Sequence, residues 1–395
     1  MVAWRSYGLD EWDYLIFLTL EQNPSLSNVA IAKRIGISTE SVRNRLHALK
    51  EKRFLRPDKT INVPLLGRRL QSEVEAVYSP GSLGLVRQHV FFQEIVDRSA
   101  VNALKLLCDD HPYTHYRTVS YGKLASMYAQ FDIPPEIDRG MRGLYKELQK
   151  QGLFDSFLVL NQKHAAKLDA DFTKWDADKD KWQIEYGTKS KVGERSSRIE
   201  KLWQRAVRKK KSIEMKEELV EMACTFDRLD MLLLRELTVN SRPNIKSLSS
   251  KYERDPTTIG RRIKRIREKV APSEALFYDR AVFDLTYPQI IIGRFRSGSE
   301  VQPESLYRFL ESKVLPFDGR AVIDEDRYML FTMTPPSFAP ELSEFLWEHT
   351  QDFKVLQLQL DGSMTYYFYH ENYVGEGKWN VDRDYFVDTP LQGIR

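Results

Sequence analysis

The chain has 395 residues but only two cysteines, Cys108 and Cys224, far apart in sequence. Two distant thiols build neither a disulfide framework nor a Cys-rich zinc site, and they fit a reducing compartment. Charge of one sign is missing too: 60 basic residues against 56 acidic ones leave a net charge of +4. No global field marks the chain for nucleic acid, so any such surface has to be local. Apolar runs such as YLIFLTL (14–20) are far too short to span a bilayer. The first residues, MVAWRSYGLDEWD, carry acidic side chains where a secretory signal is apolar. No Gly-rich phosphate loop, Cys/His metal cluster or nucleophile elbow stands out. These absences predict a soluble cytoplasmic protein with no membrane partner, no cofactor, no metal and no catalytic residues, and therefore not an enzyme.

What is present is a repeat. STESVRNRLHALKEKR (38–53) returns as DPTTIGRRIKRIREKV (255–270), a gapless shift of 217 positions. Extended backward, the shift pairs LDEWDYLIFLTL (9–20) with FDRLDMLLLREL (226–237). Over 9–52 against 226–269 eight of forty-four pairs are identical: Asp10, Asp13, Leu15, Leu20, Asn23, Arg45, Glu51 and Lys52. Twelve pairs are apolar in both copies, and these set a core. The unit is of domain size, so the pattern is a duplication and not a solenoid.

Within the first copy, apolar spacing predicts a helix over 9–22, broken by Asn23-Pro24. A short helix over 28–35 ends at Gly36, and Ser38 caps a third helix to about Arg53. FLRPDKTINV (54–63) predicts a hairpin turning at Pro57-Asp58-Lys59. This is a winged helix-turn-helix order. The second copy predicts helices over 216–238, 245–252 and 256–270, with Asp255 as cap and Pro256 at the first helical position. Glu253 stands where the first copy has Gly36. A non-glycine residue held left-handed there would cost about 1–2 kcal/mol, so the turn is expected to differ or to be strained.

Each helical unit is followed by a βαββαβ pattern. In the first half the elements fall at 85–96, 99–110, a hairpin over 114–131 around Gly122, 135–152 and 153–160. In the second they fall at 289–296, 305–314, a hairpin over 320–333, 340–350 and 355–360. The order is that of a ferredoxin-like sandwich. The fold class is α+β, with six segments: a winged helix-turn-helix at 1–63, a ferredoxin-like domain at 64–161, a charged linker at 162–212, a second winged helix-turn-helix at 213–285, a second ferredoxin-like domain at 286–370 and a C-terminal tail at 371–395. The linker turns basic, with ten Lys/Arg against two Glu over 189–212. Its DADKD (176–180) has the spacing of a calcium loop but Lys181 and Gly187 where the loop needs Gly and Glu, so a solvated linker is the better reading.

On the third helix Val42, Leu46 and Leu49 face inward, and Ser41, Arg43, Asn44, Arg45 and His47 are the candidate DNA contacts. In the second copy Ile259, Ile263, Ile266 and Val270 face inward, and Thr257, Thr258, Arg261, Arg262, Lys264, Arg265 and Arg267 are the candidates. Arg pairs with guanine and Asn with adenine in the major groove, while flanking cations meet phosphates. A solvated amphipathic helix, or a protein-interaction module, is the alternative.

IAKRIGISTESVRNRLHAL (31–49), followed by a wing and a βαββαβ domain, resembles the Lrp/AsnC family of transcription regulators. Where the family usually follows its recognition helix with Gly, this chain has Arg53 and Val270. The resemblance implies double-stranded DNA as partner, occupancy of a promoter site as mechanism, and a small-molecule effector between the sandwich domains. Family members dimerise through their βαββαβ sheets, so a tandem chain would be a covalent pseudo-dimer, with further association through the same domains. The family's effector turn contains Gly and Asp; SYGKL (120–124) keeps Gly122 without Asp, and DEDRY (324–328) keeps Asp324 and Asp326 without Gly, so no effector residue is assigned. Siroheme decarboxylases resemble the same plan and use His near the hairpin strands, where His111 and His115 stand in HPYTHYR (111–117). The second half has no matching His. A DNA-binding regulator is therefore the expectation, with the decarboxylase-like enzyme and the interaction module as alternatives.

Overall fold

The computed structural model describes residues 8–24, 26–51, 53–55, 62–64, 74–176, 179, 181–184, 198–208, 215, 221–222 and 225–394. In chain order the helix-turn-helix and wing comprise α1 (Glu11–Gln22), α2 (Asn28–Ile35), α3 (Thr39–Glu51), β1 (Arg53–Leu55) and β2 (Asn62–Pro64). There follow β3 (Val74–Val77), β4 (Val86–Ile95), α4 (Arg98–Asp110), β5 (Thr114–Tyr121), β6 (Ala125–Ile133), α5 (Asp138–Lys150), β7 (Phe154–Asn161) and β8 (His164–Leu168). Then come β9 (Trp175–Asp176), β10 (Lys181–Trp182), α6 (Arg198–Val207), α7 (Arg228–Val239), α8 (Ile245–Tyr252), α9 (Pro256–Lys269) and β11 (Ser273–Leu276). The last stretch holds β12 (Tyr287–Phe295), α10 (Pro303–Glu311), β13 (Asp318–Asp324), β14 (Arg327–Thr334), α11 (Ala339–His349), β15 (Thr350–Leu358), β16 (Met364–Thr365), β17 (Tyr373–Gly375), β18 (Lys378–Trp379) and α12 (Thr389–Gln392). The expected order of elements recurs in both halves, and the fold is α+β. No helix among the described residues is long and apolar enough to cross a membrane.

The chain divides into two compact units that do not follow the order of the sequence. One gathers Met1–Ser79, Asp171–Gln183 and Ala223–Leu285; the other gathers Pro80–Ala170, Ile184–Met222 and Thr286–Arg395.

The first unit holds both helix-turn-helix copies. Asp10 and Asp13 form a capping box on α1, and Asp227 and Asp230 form the same box on α7. Asn23 and Asn240 close these helices in the same extended conformation. Thus α7 begins at Arg228, not near 216, because the box places the cap at Asp227. Gly36 ends α2 in the left-handed region, and Glu253 ends α8 there too, at φ 51° and ψ 48°. The turn is conserved in shape although its residue is not. β1 and β2 pair as a wing, with Leu55 opposite Asn62; the expected Pro57–Lys59 turn lies outside the described residues. β3 pairs with β11, and Ser79 N–H donates to Val270 O at 2.8 Å, which joins the two copies. Phe172, from the stretch expected to be a linker, packs between them: its ring lies 4.3 Å from Phe283 and 5.7 Å from Tyr278, and Phe17 packs 5.8 Å from Phe283.

In the second unit nine strands run in the order β7-β4-β6-β5-β15-β12-β14-β13-β8, with β16 beside β5. Each half contributes the ferredoxin-like order 4-1-3-2. In a flat sheet β4 and β12 would lie about 19 Å apart, at about 4.8 Å per strand step. Instead Phe91 and Tyr128 pack in one cluster with Ile290, Ile292, Val322 and Met329. The sheet is folded over, so the face carrying Phe91 in the first half packs against the face carrying Ile290 in the second.

The described parts of 162–212 and 371–395 are built into this architecture. β8 follows the first half but pairs with β13 of the second; β16 follows the second half but pairs with β5 of the first. α6 buries Trp203 against Phe309 of α10 and Phe345 of α11, at 4.8 and 5.1 Å. Reciprocally, Phe386, Val387 and Leu391 of the C-terminal turns enter the core beneath α4 and α5. A Cβ on Gly140 would lie 2.8 Å from the Phe386 ring, so only glycine admits it. The stretches even correspond in detail: Trp182 Nε1–H donates to Phe283 O at 2.8 Å, and Trp379 Nε1–H donates to Leu83 O at 2.9 Å. Of the calcium-like loop that starts at Asp176, Lys179 and Lys181 occupy the fourth and sixth positions, and other positions lie outside the described residues; no cluster of metal-ligating side chains occurs among the described ones.

Two outcomes test this account. Glu253→Gly removes about 1–2 kcal/mol of left-handed strain and adds about 0.5–1 kcal/mol of chain entropy. A net gain of about 0.5–1 kcal/mol should appear in urea unfolding; a loss would show that the turn is not strained. His111 is fully buried at the end of α4, accepts the Tyr113 N–H at Nδ1 (3.2 Å), and burial holds its pKa down at about 3. The unfolded chain takes a proton near pH 6.5 and the folded chain does not, so stability falls as pH drops from about 6.5 towards about 3, by up to about 1.4 kcal/mol per pH unit. His111→Asn keeps an acceptor for Tyr113 and should shallow that slope in unfolding curves taken across the range.

Candidate functional site

The two third helices present different surfaces. On α9, Ile259, Ile263 and Ile266 are buried, which leaves Thr257, Arg261 and Lys264 exposed at i, i+4 and i+7. Lys264 lies 3.9 Å from Glu268. Thr258 is half-buried, and its N–H donates to the Asp255 cap at 2.9 Å. On α3, Val42, Leu46 and Leu49 are buried, and Asn44 and His47 are exposed. Arg43 pairs with Glu40 at 2.5 Å, and the Ser41 N–H donates to Ser38 Oγ at 3.0 Å. A groove beside this helix is lined by Asp10, Glu40 and Asn44 among others, so its electrostatics are mixed.

Four of the arginines expected to face DNA point back into the fold. Arg45 donates to Asp10 and Asp13 at 2.7 and 2.8 Å, clamping α3 to the capping box of α1. Arg262 repeats the clamp on Asp227 and Asp230 at 2.8 and 2.9 Å. Burial pushes the Asp10 and Asp227 carboxyls up, but the hydrogen bonds from these arginines and from the cap N–H groups outweigh it and hold both below the usual range. Arg265 donates to Thr225 O and stacks on the Phe226 ring at 4.8 Å. Arg267 donates to Ser241 O and lies 4.0 Å from Glu274.

The second unit holds a polar cluster on the folded-in face of its sheet. Arg87 and Asp132, opposite each other on β4 and β6, form a bidentate pair at 2.6 and 2.7 Å. His115, in a bulge of β5, places Nδ1 3.7 Å from Asp132 Oδ2 with a side chain one-fifth exposed (20%). His89 lies between Tyr128 Oη (2.7 Å from Nδ1) and Gln162 Oε1 (3.1 Å from Nε2). Gln162 Oε1 also accepts from Arg320 of β13 at 2.9 Å, which bridges the halves. Burial, then Arg320 and Arg87, hold the His89 pKa well below its ordinary value against the pull of Gln162 and Asp132. Burial and Arg87 likewise push His115 down to about 3, with Asp132 opposing and Arg320 adding.

The sequence pattern marks none of Arg87, His89, Asp132, Gln162 or Arg320 as functional. A signal existed: β4 places Arg87 and His89 where the matching face of β12 has Pro288 and Ile290, and β6 places Gln130 and Asp132 where β14 has Phe331 and Met333. The two histidines of HPYTHYR part company. His111 packs its ring 5.1 Å from Phe131 on the helix-covered face, whereas His115 joins the cluster on the other. The turn at Gly122 lies tight against β15, with Val355 O 3.1 Å from where a Cβ would be; in the other, Glu325 is left-handed at φ 47° and pairs with Lys163 at 2.8 Å.

Several solved structures are similar in fold. The siroheme decarboxylase NirDL aligns over 98% of this chain and 98% of its own, at 11% identity and a TM-score of 0.48. AsnC of E. coli aligns over 39% of this chain and 91% of its own, at 19% identity and a TM-score of 0.28. A transcriptional regulator from Neisseria meningitidis in complex with L-Met covers 39% and 88%, at 18% identity and a TM-score of 0.30. No curated protein matches. The expectation of a non-enzymatic protein is corrected here, because the solved structures spanning nearly the whole chain are those of an enzyme. The two regulators each align over 39% of this chain, and residues 9–50, which take in α1 to α3, are an AsnC-type helix-turn-helix domain.

Proposed function

We propose that the chain is a sequence-specific DNA-binding transcription regulator that grips duplex DNA chiefly through α9 and reads it more selectively through α3. The observation that carries this reading is the exposed Thr257, Arg261, Lys264 stripe, kept clear because Arg262, Arg265 and Arg267 are anchored behind it. Asn44 and His47 occupy the corresponding face of α3, with Arg43 and Glu40 neutralising each other beside them. A small-molecule effector acting through the sheet unit, and association of chains through it, belong to the same reading.

Duplexes selected from random DNA provide the test. Arg261→Ala with Lys264→Ala should weaken binding to selected and scrambled duplexes alike. It should also flatten the slope of log affinity against log salt by about 0.9 for each phosphate that the variant no longer neutralises. Asn44→Ala should relax preference in one half-site at a cost of about 1–3 kcal/mol. Arg262→Ala serves as the contrast: it breaks the clamp on Asp227 and Asp230 and should lower stability by about 1–2 kcal/mol, since hydrogen bonds between charged groups contribute about 1.5–3 kcal/mol and this one is partly exposed. An empty selection, or an Arg261/Lys264 variant with unchanged affinity, would sink the proposal.

A second reading, acid–base chemistry on a carboxylate-bearing substrate of the siroheme-decarboxylase kind, is favoured by His115. Its imidazole reaches the surface from beside a buried Arg–Asp pair, the placement that a proton donor or acceptor needs. Loss of turnover in His115→Asn with the fold intact would support it.

A further inference from the structure

The hydrogen bonds around His89 assign every proton. Gln162 Oε1 accepts from Arg320, so it is also an acceptor for His89, and His89 carries its hydrogen on Nε2. His89 Nδ1 then accepts from Tyr128 Oη–H, whose oxygen accepts from Gln130 Nε2–H at 2.6 Å. Protonating Nδ1 would leave the Tyr128 hydroxyl hydrogen to find a new acceptor. His89 is thus locked neutral, as part of a rigid floor with Arg87, Asp132 and Gln162, all buried to 5% exposure or less. His115 is different. It stands at the rim with Tyr116, Gln130 and Arg320, each partly exposed, and its ring is within reach of a solute and of the protons of the solvent.

Two guanidiniums, Arg87 and Arg320, and one carboxylate, Asp132, act on both histidines, while Tyr116 and Tyr128 supply neutral hydroxyls. With Arg87 paired to Asp132, Arg320 leaves these groups with a net positive charge. The second half has Pro288, Ile290, Phe331 and Met333 at the positions matching Arg87, His89, Gln130 and Asp132, so among the described residues the buried polar floor belongs to the first half. A cationic, partly desolvated rim over a rigid polar floor favours an anion.

We propose that the rim formed by His115, Tyr116, Gln130 and Arg320 binds one small oxyanion, a carboxylate or a tetrahedral oxyanion, and takes up a proton on His115 as it does so. Burial and then the guanidiniums disfavour the imidazolium; a bound anion pairs with it directly and offsets the net positive charge that Arg320 leaves, which favours protonation. Binding is therefore tighter at acid than at alkaline pH. The proposal stands apart from DNA recognition and requires no turnover.

The test is calorimetric titration of the full chain with acetate and, separately, sulfate. Neither changes its own protonation between about pH 6 and pH 8, so proton uptake belongs to the protein. Repeating the titration in buffers of different ionisation enthalpy counts the protons. Expected are one anion per chain, up to one proton taken up at about pH 6, and affinity at least severalfold higher there than at pH 8. Preference for acetate or for sulfate tells a carboxylate ligand from a tetrahedral one. Arg320→Gln should weaken binding tenfold or more, Arg320→Lys should restore part of it, and His115→Asn should bind without proton uptake. No heat with either anion at millimolar concentration, or binding indifferent to Arg320→Gln in a chain that melts like the parent, would overturn the site. Proton uptake unchanged in His115→Asn would overturn the role of His115.

Discussion

Each half of the sheet unit is completed by a strand from the other. β8 leaves the first half to hydrogen-bond β13, and β16 leaves the second to hydrogen-bond β5. A sheet edge carries a row of unpaired N–H and C=O groups, so lending an edge strand is a strong backbone tie. The fold-over of the sheet depends on it. Once β8 is committed to β13, Gln162 at its base stands beside both His89 and Arg320. The apolar faces around Phe91 and Ile290 then close on each other. The same exchange carries α6 to one helical layer and the C-terminal turns to the other.

Repetition with divergence runs through both units. The Asp–Asp–Arg clamp is identical in the two helix-turn-helix copies because its geometry needs both carboxylates and the forked guanidinium; lysine could not hold two carboxylates in that way. Around the clamp the copies differ. α9 exposes Arg261 and Lys264 where α3 exposes Asn44 and His47. On the inner sheet face the first half keeps Arg87, His89 and Asp132 where the second is apolar. Two copies sharing one chain are free to divide tasks, since neither has to satisfy a twofold axis.

The eight identities of the repeat illustrate what spacing can and cannot say. Asp10, Asp13, Asn23 and Arg45 are two cap residues, a helix stop and a clamp. Their persistence at low overall identity follows from backbone geometry, whereas the apolar pairs need only conserve volume. Arg45 and Arg262 looked like DNA contacts because a helical wheel counts charges and not the neighbours that claim them.

By itself the sequence determined the local elements: helices from their 3.6-residue apolar spacing, with caps at Ser38 and Asp255; strands from alternation; and two helix-turn-helix and βαββαβ successions in order. These rest on interactions a few residues apart, which a linear pattern records. Tertiary structure alone decided that the described parts of 162–212 and 371–395 join the packed layers. Their pairing partners lie some 150 to 260 residues away, as in Ala170 with Asp318 and Asn372 with Pro112. It alone decided which arginines remain outward, and it alone gathered His115, Arg87, Asp132 and Arg320 from three strands of one half and one strand of the other. A side chain's partner across a sheet depends on register and fold-over, and neither is written in the spacing of one strand.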